Sequence, residues 1–380
     1  MKKIAFVSGG RMDFGLMLPV LNAVKASRKL KLQVYFTGLH LMPQFGNSWK
    51  LVKQKFPNAK KIDAVFETDN EYGMAKFSGS CTSLLVEAFH RGRPDMTLTL
   101  GDRAEMLSVA TASVYLGILS AQVHAGDKTF HVDEFVRHAI TKLSHIFFAA
   151  TRDSAKRLEK LGEEKWRIHL VGAPALDFIK KEKLLTRNEI CQKIGINPNK
   201  KFLLIVQHPV SNVQGKNADY MKKTIEAAKS FKLPTIIIYP NADAEGRQMI
   251  KIIGKEKKNQ LFRIFPNLDY KTFLSLERET GVFITNSSSG RIEAAAFATP
   301  VVNLGIRQLG RPYGKNVINV GHNKSEIITA VRKSLFDKSY LKFSKKIINP
   351  WGGGNAAKKI VSVLEKIKID DKLLTKQIVY

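Results

Sequence analysis

Short apolar runs alternate with longer segments of helical period along the whole chain. The runs are Ile4–Ser8, Leu32–Thr37, Met96–Leu100, Ser120–His124, Ile146–Thr151, Ile168–Gly172, Phe202–Gln207, Thr235–Pro240, Leu261–Phe265, Gly281–Thr285 and Val301–Leu304. Each is too short for a buried helix and reads as a strand covered on both faces. Between them, apolar positions recur every three or four residues, as in Leu16–Ala26, Ala104–Tyr115, Ser154–Leu161, Tyr220–Ser230 and Tyr270–Arg278. Strands that alternate with helices build parallel sheets. The alternation pauses between Gly172 and Leu185 and restarts at Phe202, with solvated connectors at Lys180–Lys183 and Asn197–Lys201. The pattern therefore predicts two Rossmann-like α/β domains, each with a doubly wound parallel sheet, over residues 1–176 and 177–353. A breaker at Pro350–Gly354 precedes a helical pattern at Ala356–Ile367, and residues 354–380 are expected to return to the first domain. Ligands of such sheets bind beyond the carboxyl ends of the strands, here in a cleft between the domains.

A chain of 380 residues suits two such cores, and 44% hydrophobic residues are enough to fill them. No apolar run approaches the roughly 18 residues that span a bilayer. The apolar start at Ile4–Val7 is cut at once by Gly9, Gly10, Arg11 and Asp13, so it reads as a first strand rather than a signal peptide. Two cysteines, Cys81 and Cys191, make no disulfide framework and no zinc spacing, which favours the cytoplasm and buried thiols. Lys+Arg exceed Asp+Glu by 29, which raises nucleic-acid binding. The lysines are spread along the chain without a basic-aromatic patch, however. A solvated surface that helps steer an anionic substrate accounts for them better.

Candidate chemistry gathers where the predicted strands end. The first run passes into Ser8-Gly9-Gly10-Arg11-Met12-Asp13-Phe14-Gly15. Glycines before a helix start let backbone approach an anion, and Arg11 suits a phosphate. The spacing is not that of a dinucleotide site, and an ordinary strand-to-helix turn fits equally. In Gly101-Asp102-Arg103, Asp102 is either a carboxylate facing a cleft or the cap of a helix from Ala104. The densest segment runs from His124 through Asp127, Asp133 and Arg137 to His138. Asp133 falls in the first turn of a helix, which favours its ionised form, whereas burial would raise its pKa toward duty as a base. The competing reading is a solvated helix start with i,i+4 pairs.

His208 follows another strand, where an imidazole can touch a leaving phosphate or be merely structural. Asn241 and Asp243 follow the next strand or form an Asx turn. Asn286-Ser287-Ser288-Ser289-Gly290 leads into a helix with Glu293 one turn in. Such a start offers N–H groups to an anion, and Glu293 is placed like the acidic residues that accept ribose hydroxyls. A plain Ser-capped helix is the alternative. Arg307 and Arg311 add cationic reach downstream.

These motifs, in this order, resemble the UDP-N-acetylglucosamine 2-epimerase family, particularly its hydrolysing branch. The stretches that carry the resemblance are Gly9–Gly15, Arg137–His145, Val171–Pro174, Asn286–Gly290 with Glu293, Asn303–Gln308 and Asn316–Ile318, and the match covers roughly residues 3–365. It implies a GT-B-like fold with UDP held mainly by the second domain. Ser287, Ser288 and Gly290 would receive the diphosphate, Glu293 the ribose, and Arg11, His208 and Arg307 the phosphates. Asp13, Arg103, Arg137, His138, Asn241, Asp243 and Ser289 complete the expected binding set. The family's acidic residues map onto Asp102 and Asp133. A third falls at His124, where many relatives have Glu and where Asp127 is near, and Gly10 replaces a more usual Thr. The resemblance further implies a homodimer or homotetramer, with no metal and no cofactor.

The chemistry suits these residue types. A C2 proton of a sugar is hardly acidic, so its removal needs a placed base and simultaneous loss of UDP from C1. The leading expectation is UDP-N-acetylglucosamine and water giving N-acetylmannosamine and UDP by anti elimination and water addition. The alternatives are a hydrolysing 2-epimerase of another UDP- or GDP-linked 2-acetamido sugar, such as diacetylbacillosamine, and the non-hydrolysing epimerase. A GT-B glycosyltransferase is a further enzyme reading. From another class comes a UDP-sugar-binding protein without catalysis.

Overall fold

The computed structural model describes residues 1–213 and 215–379. Among these residues the strands form two sheets, and every strand pairs parallel to its neighbours. The chain divides into two compact units. Unit 1 comprises Met1–Lys128, Val132–Lys180 and the chain from Trp351 onward; unit 2 comprises Thr129–His131 and Lys181–Pro350.

In unit 1 the strands are β1 (Lys2–Ser8), β2 (Leu30–Phe36), β3 (Lys60–Lys61), β4 (Met96–Leu100), β5 (Leu119–Val123), β6 (Ile146–Ala149) and β7 (Ile168–Leu170), in the order β3-β2-β1-β4-β5-β6-β7. The order reverses between β1 and β4, and such a reversal opens a crevice at the strands' carboxyl ends. β4 and β5 are buried at every position, as strands covered on both faces must be. The helix Ala356–Lys366 lies in this core, with Ala357, Ile360 and Leu364 wholly buried. Its first turn is held by the Asp177 carboxylate, which accepts from the N–H groups of Ala356 at 2.8 Å and Ala357 at 3.1 Å.

Unit 2 contains β8 (Leu203–Val206), β9 (Thr235–Ile238), β10 (Phe262–Phe265), β11 (Val282–Thr285), β12 (Val301–Leu304) and β13 (Val317–Val320), in the order β10-β9-β8-β11-β12-β13. Here the reversal lies between β8 and β11. Gly290 lets the helix Ser289–Phe297 lie close on these strands: a Cβ there would meet the Thr285 methyl at 2.6 Å and Val301 at 3.1 Å. β3 and β13 have no counterpart among the sequence-predicted runs. β3 is two exposed lysines, and β13 is an edge strand interrupted by Asn319. Among the described residues no helix is long and apolar enough to cross a membrane.

Because Ile360 is wholly buried in the unit 1 core, Ile360→Ala is expected to lower stability by about 2–5 kcal/mol. Chemical denaturation with a tryptophan-fluorescence readout checks it.

Candidate functional site

Three loops of unit 1 leave adjacent strand ends. After β1, Gly10 caps the helix Arg11–Ala26, and the Asp13 carboxylate turns back to accept from Gly9 N–H and Gly10 N–H, both at 2.8 Å. The Ser8 hydroxyl donates to the same carboxylate at 2.9 Å and lies 2.7 Å from His40. Burial, then the neighbouring Glu105, push the Asp13 pKa up to about 7. Burial lowers that of His40 to about 3, so its ring is neutral. Asp13 thus shapes the glycine loop on which Arg11 stands.

Glu105, absent from the sequence-based candidates, lies beneath this loop. It is buried, its Oε1 accepts from Arg103 at 2.9 Å, and a Cβ on Gly9 would lie 2.0 Å from it. Any side chain at position 9 would have to displace that of Glu105, 96 positions away.

After β4, the helix Ala104–Tyr115 is capped by Arg103 without a side-chain bond, so Asp102 does not serve as its cap. Asp102 instead pairs with the guanidinium of Arg137. Arg137 is 1% exposed and also donates to the His124 carbonyl at 3.2 Å. This one cation joins the ends of β4 and β5 to the helix Asp133–Leu143.

After β5, His124 adopts a left-handed backbone with φ of 57°, uncommon for a non-glycine residue. Its Nδ1 is 2.9 Å from Asp127, whose other oxygen accepts from the Ser154 hydroxyl at 2.8 Å; Ser154 in turn lies 2.8 Å from Thr151. The four residues are buried. When Asp127 accepts the Nδ1 proton, Nε2 is left as the nitrogen that can exchange one. Gly126 permits this packing, since a Cβ there would lie 2.3 Å from the Ser154 carbonyl oxygen. Asp133 is half-buried in the first turn of its helix, and His138 lies 3.2 Å from Glu134 one turn away.

In unit 2 the candidates also lie at strand ends, around Asn286. The Asn286 side chain accepts from His208 N–H and donates to the His208 carbonyl, both at 2.7 Å. Its carbonyl accepts from Arg307 at 3.3 Å and Gln308 at 3.0 Å. The His208 ring accepts from Asn241 N–H at 3.1 Å, and Asn241 donates to Asp243 at 2.6 Å. The ends of β8, β9, β11 and β12 are thereby tied together. Ser288 caps the helix Ser289–Phe297 without a side-chain bond, which leaves aside a Ser-capped helix as the reason for its hydroxyl. Ser287 is buried, with its hydroxyl 3.4 Å from Ser289 N–H.

One turn into that helix, Glu293 accepts from the Tyr270 hydroxyl at 3.1 Å. A second carboxyl lies beside it. Glu277 is wholly buried and takes the Ser289 hydroxyl at 2.9 and 3.0 Å. Burial, then Glu293, raise the Glu277 pKa well above the carboxylate range, and burial followed by both carboxyls raises that of Tyr270. Neither Glu277 nor Tyr270 was a sequence-based candidate. Of the two thiols, both buried, Cys81 is pushed to about 12 and so is no nucleophile. Among the described residues no three His, Cys, Asp or Glu gather as a metal site.

Comparison with known proteins decides the family. The family model described as UDP-N-acetylglucosamine 2-epimerase matches residues 22–365. The chain belongs to this family. Among its relatives, the chain is similar to the UDP-N,N'-diacetylbacillosamine 2-epimerase (hydrolyzing) of Legionella pneumophila, at 36% identity over 99% of this chain and 98% of that one. It is similar to the GDP/UDP-N,N'-diacetylbacillosamine 2-epimerase (hydrolyzing) of Campylobacter jejuni at 33%, over 84% of each. The UDP-N-acetylglucosamine 2-epimerase of Neisseria meningitidis is 28% identical, over 88% of each. In fold the chain is similar to the crystal structure of UDP-GlcNAc 2-epimerase from Neisseria meningitidis bound to UDP-GlcNAc, with a TM-score of 0.81, 21% identity and coverage of 96% of this chain and 100% of that one. Its two parallel-sheet α/β units are those of a GT-B-like epimerase.

The buried carboxyl pair has a pH signature. A carboxyl whose pKa is raised on folding contributes stability that is complete below its ordinary 4.5 and lost as pH rises toward the folded value. Glu277→Gln removes that titration. Melting curves at pH 5 and pH 8 should show the variant gaining on the wild type at the higher pH; an equal difference at both would contradict a protonated Glu277.

Proposed function

We propose that the protein is a hydrolysing 2-epimerase acting on a UDP-linked 2-acetamido sugar, and that the sugar is N,N'-diacetylbacillosamine. The observation that carries the choice of sugar is the greater similarity to two hydrolysing diacetylbacillosamine 2-epimerases than to the Neisseria relative named for UDP-N-acetylglucosamine. UDP-N-acetylglucosamine, giving N-acetylmannosamine, is the second reading, favoured by the family description itself.

In this reading, unit 2 holds the nucleotide and unit 1 acts on the sugar. The N–H groups at Ser287–Gly290 receive the diphosphate, Glu293 accepts the ribose hydroxyls, and Arg307, His208 and Arg11 neutralise charge on the departing UDP. Asn241 and Asp243 serve the nucleotide side, and Arg103 and His138 the sugar. Asp102 pairs with Arg137, and the acid–base work is assigned to Asp133 and the His124–Asp127 pair. Inversion at C2 requires one on each face of the ring. Asp133 takes the C2 proton, the C–H electrons form the C1=C2 bond, and the C1–O bond breaks with its electrons going to UDP. Protonated His124 then delivers its Nε2 proton to the opposite face of C2 while water adds its oxygen at C1; the water's second proton and the one on Asp133 pass to solvent, which returns one to His124, so that one proton is released with UDP. One water is consumed, and the products are free UDP and the 2-epimeric sugar.

Incubation with each UDP-sugar, followed by NMR of the products, tests this. UDP and the free 2-epimer are expected, formed faster from the diacetylbacillosamine nucleotide. A UDP-linked epimer without UDP release would indicate the reversible reaction, and binding without turnover a non-catalytic protein. Asp133→Asn should keep UDP affinity and lose at least about 100-fold in kcat; near-wild-type turnover would remove Asp133 from the mechanism. Glu293→Ala should weaken UDP binding, measured by calorimetry, and unchanged affinity would count against its ribose role.

A further inference from the structure

The helix Asp133–Leu143 carries Asp133 in its first turn, and the other end of the helix is held by a residue far along the chain. The ammonium of Lys376 donates to the carbonyls of Thr141 at 2.9 Å, Lys142 at 3.1 Å and Ser144 at 2.9 Å. The last carbonyls of a helix lack intrahelical donors, and a cation there complements the helix dipole. Lys376 also pairs at 2.8 Å with Glu163, a carboxylate whose side chain is fully buried and which takes Lys142 at 2.9 Å from the same helix.

The segment that brings Lys376 there is itself anchored. Arg167, fully buried, donates to the carbonyls of Leu373 at 2.8 Å and of Lys372 and Thr375 at 3.0 Å each, while the Leu373 side chain sits in the unit 1 core. These contacts lie at the far end of an 11-residue helix, about 16 Å along its axis from Asp133.

We propose that Lys376 is a positioning residue for Asp133. By gripping the last turn of the helix it fixes, together with Arg137 one turn in from the start, where the first turn points. The proposal rests on the reading of Asp133 as the group that takes the C2 proton. Thr141, bonded to Gln122 at 2.7 Å, and the buried Ile140 already hold the body of the helix, and Lys376 adds the grip on its closing carbonyls; a misplacement of about 1 Å at a reacting group costs on the order of 100-fold in rate.

The experiment compares Lys376→Ala and Lys376→Arg with the wild type in the full chain. It measures kcat, KM, UDP affinity and hydrogen exchange of residues 133–144. Lys376→Ala should lower kcat about tenfold or more, speed exchange in that helix, and leave UDP affinity within about twofold, because the residues proposed to hold the nucleotide, those of unit 2 and Arg11, stand on other elements. Lys376→Arg, which keeps the charge and the donors, should recover most of the rate. If Lys376→Ala folds poorly, Lys376→Gln should show the same selective loss in kcat at smaller size. Wild-type kcat despite faster exchange would overturn the proposal. So would a joint loss of rate, UDP affinity and protection throughout unit 1, which marks a purely structural residue. A wild-type protein that turns over neither UDP-sugar overturns the reading of Asp133 itself, and its exchange data still report whether Lys376 holds the helix.

Discussion

A single buried cation organises the first unit. Arg137 has almost no solvent contact, so its charge must be met by protein groups, since an unpaired buried charge is strongly destabilising. The Asp102 carboxylate and the His124 carbonyl meet it. Because these partners stand at the ends of two neighbouring strands and Arg137 stands on the helix that bears Asp133, satisfying one charge fixes three elements against one another. The left-handed backbone of His124 fits this arrangement: it turns the carbonyl to Arg137 while the ring bonds to Asp127. Strain at a non-glycine residue persists where the surroundings over-determine it.

The second unit solves a different problem. Its strand ends are bound together by Asn286, a neutral residue that uses both side-chain groups on His208 and its carbonyl on Arg307 and Gln308. Below it, Glu277 and Glu293 share a dry environment with Tyr270 and Ser289. Such a pair is tolerable only if it keeps a proton, and burial followed by Glu293 raises the Glu277 pKa in that direction.

The parallel strands and the placement of nearly every candidate at a strand end were legible in the sequence. Buried parallel strands must be written as unbroken apolar runs, and their carboxyl ends are marked by glycines and polar clusters such as Gly101-Asp102-Arg103. Strand β3 was not legible, because a two-lysine edge buries nothing. Glu105, Ser154, Glu277 and Lys376 escaped for another reason. Each acts through a partner distant in sequence, and nothing local distinguishes them from surface residues of the same type. Gly9 was a partial clue, since a glycine that no turn requires signals something packed against it, here Glu105. The alternatives left open at Asp102 and at the Ser288 helix start turned on side-chain partners that spacing does not reveal.

The chemical account stands on removal of the C2 proton by a side chain that exchanges with solvent. Turnover of the UDP-sugar in heavy water, followed by mass spectrometry of the released sugar, measures this directly. The account requires one non-exchangeable deuterium at C2 of the epimerised product. A product inverted at C2 that retains its original hydrogen there would contradict it.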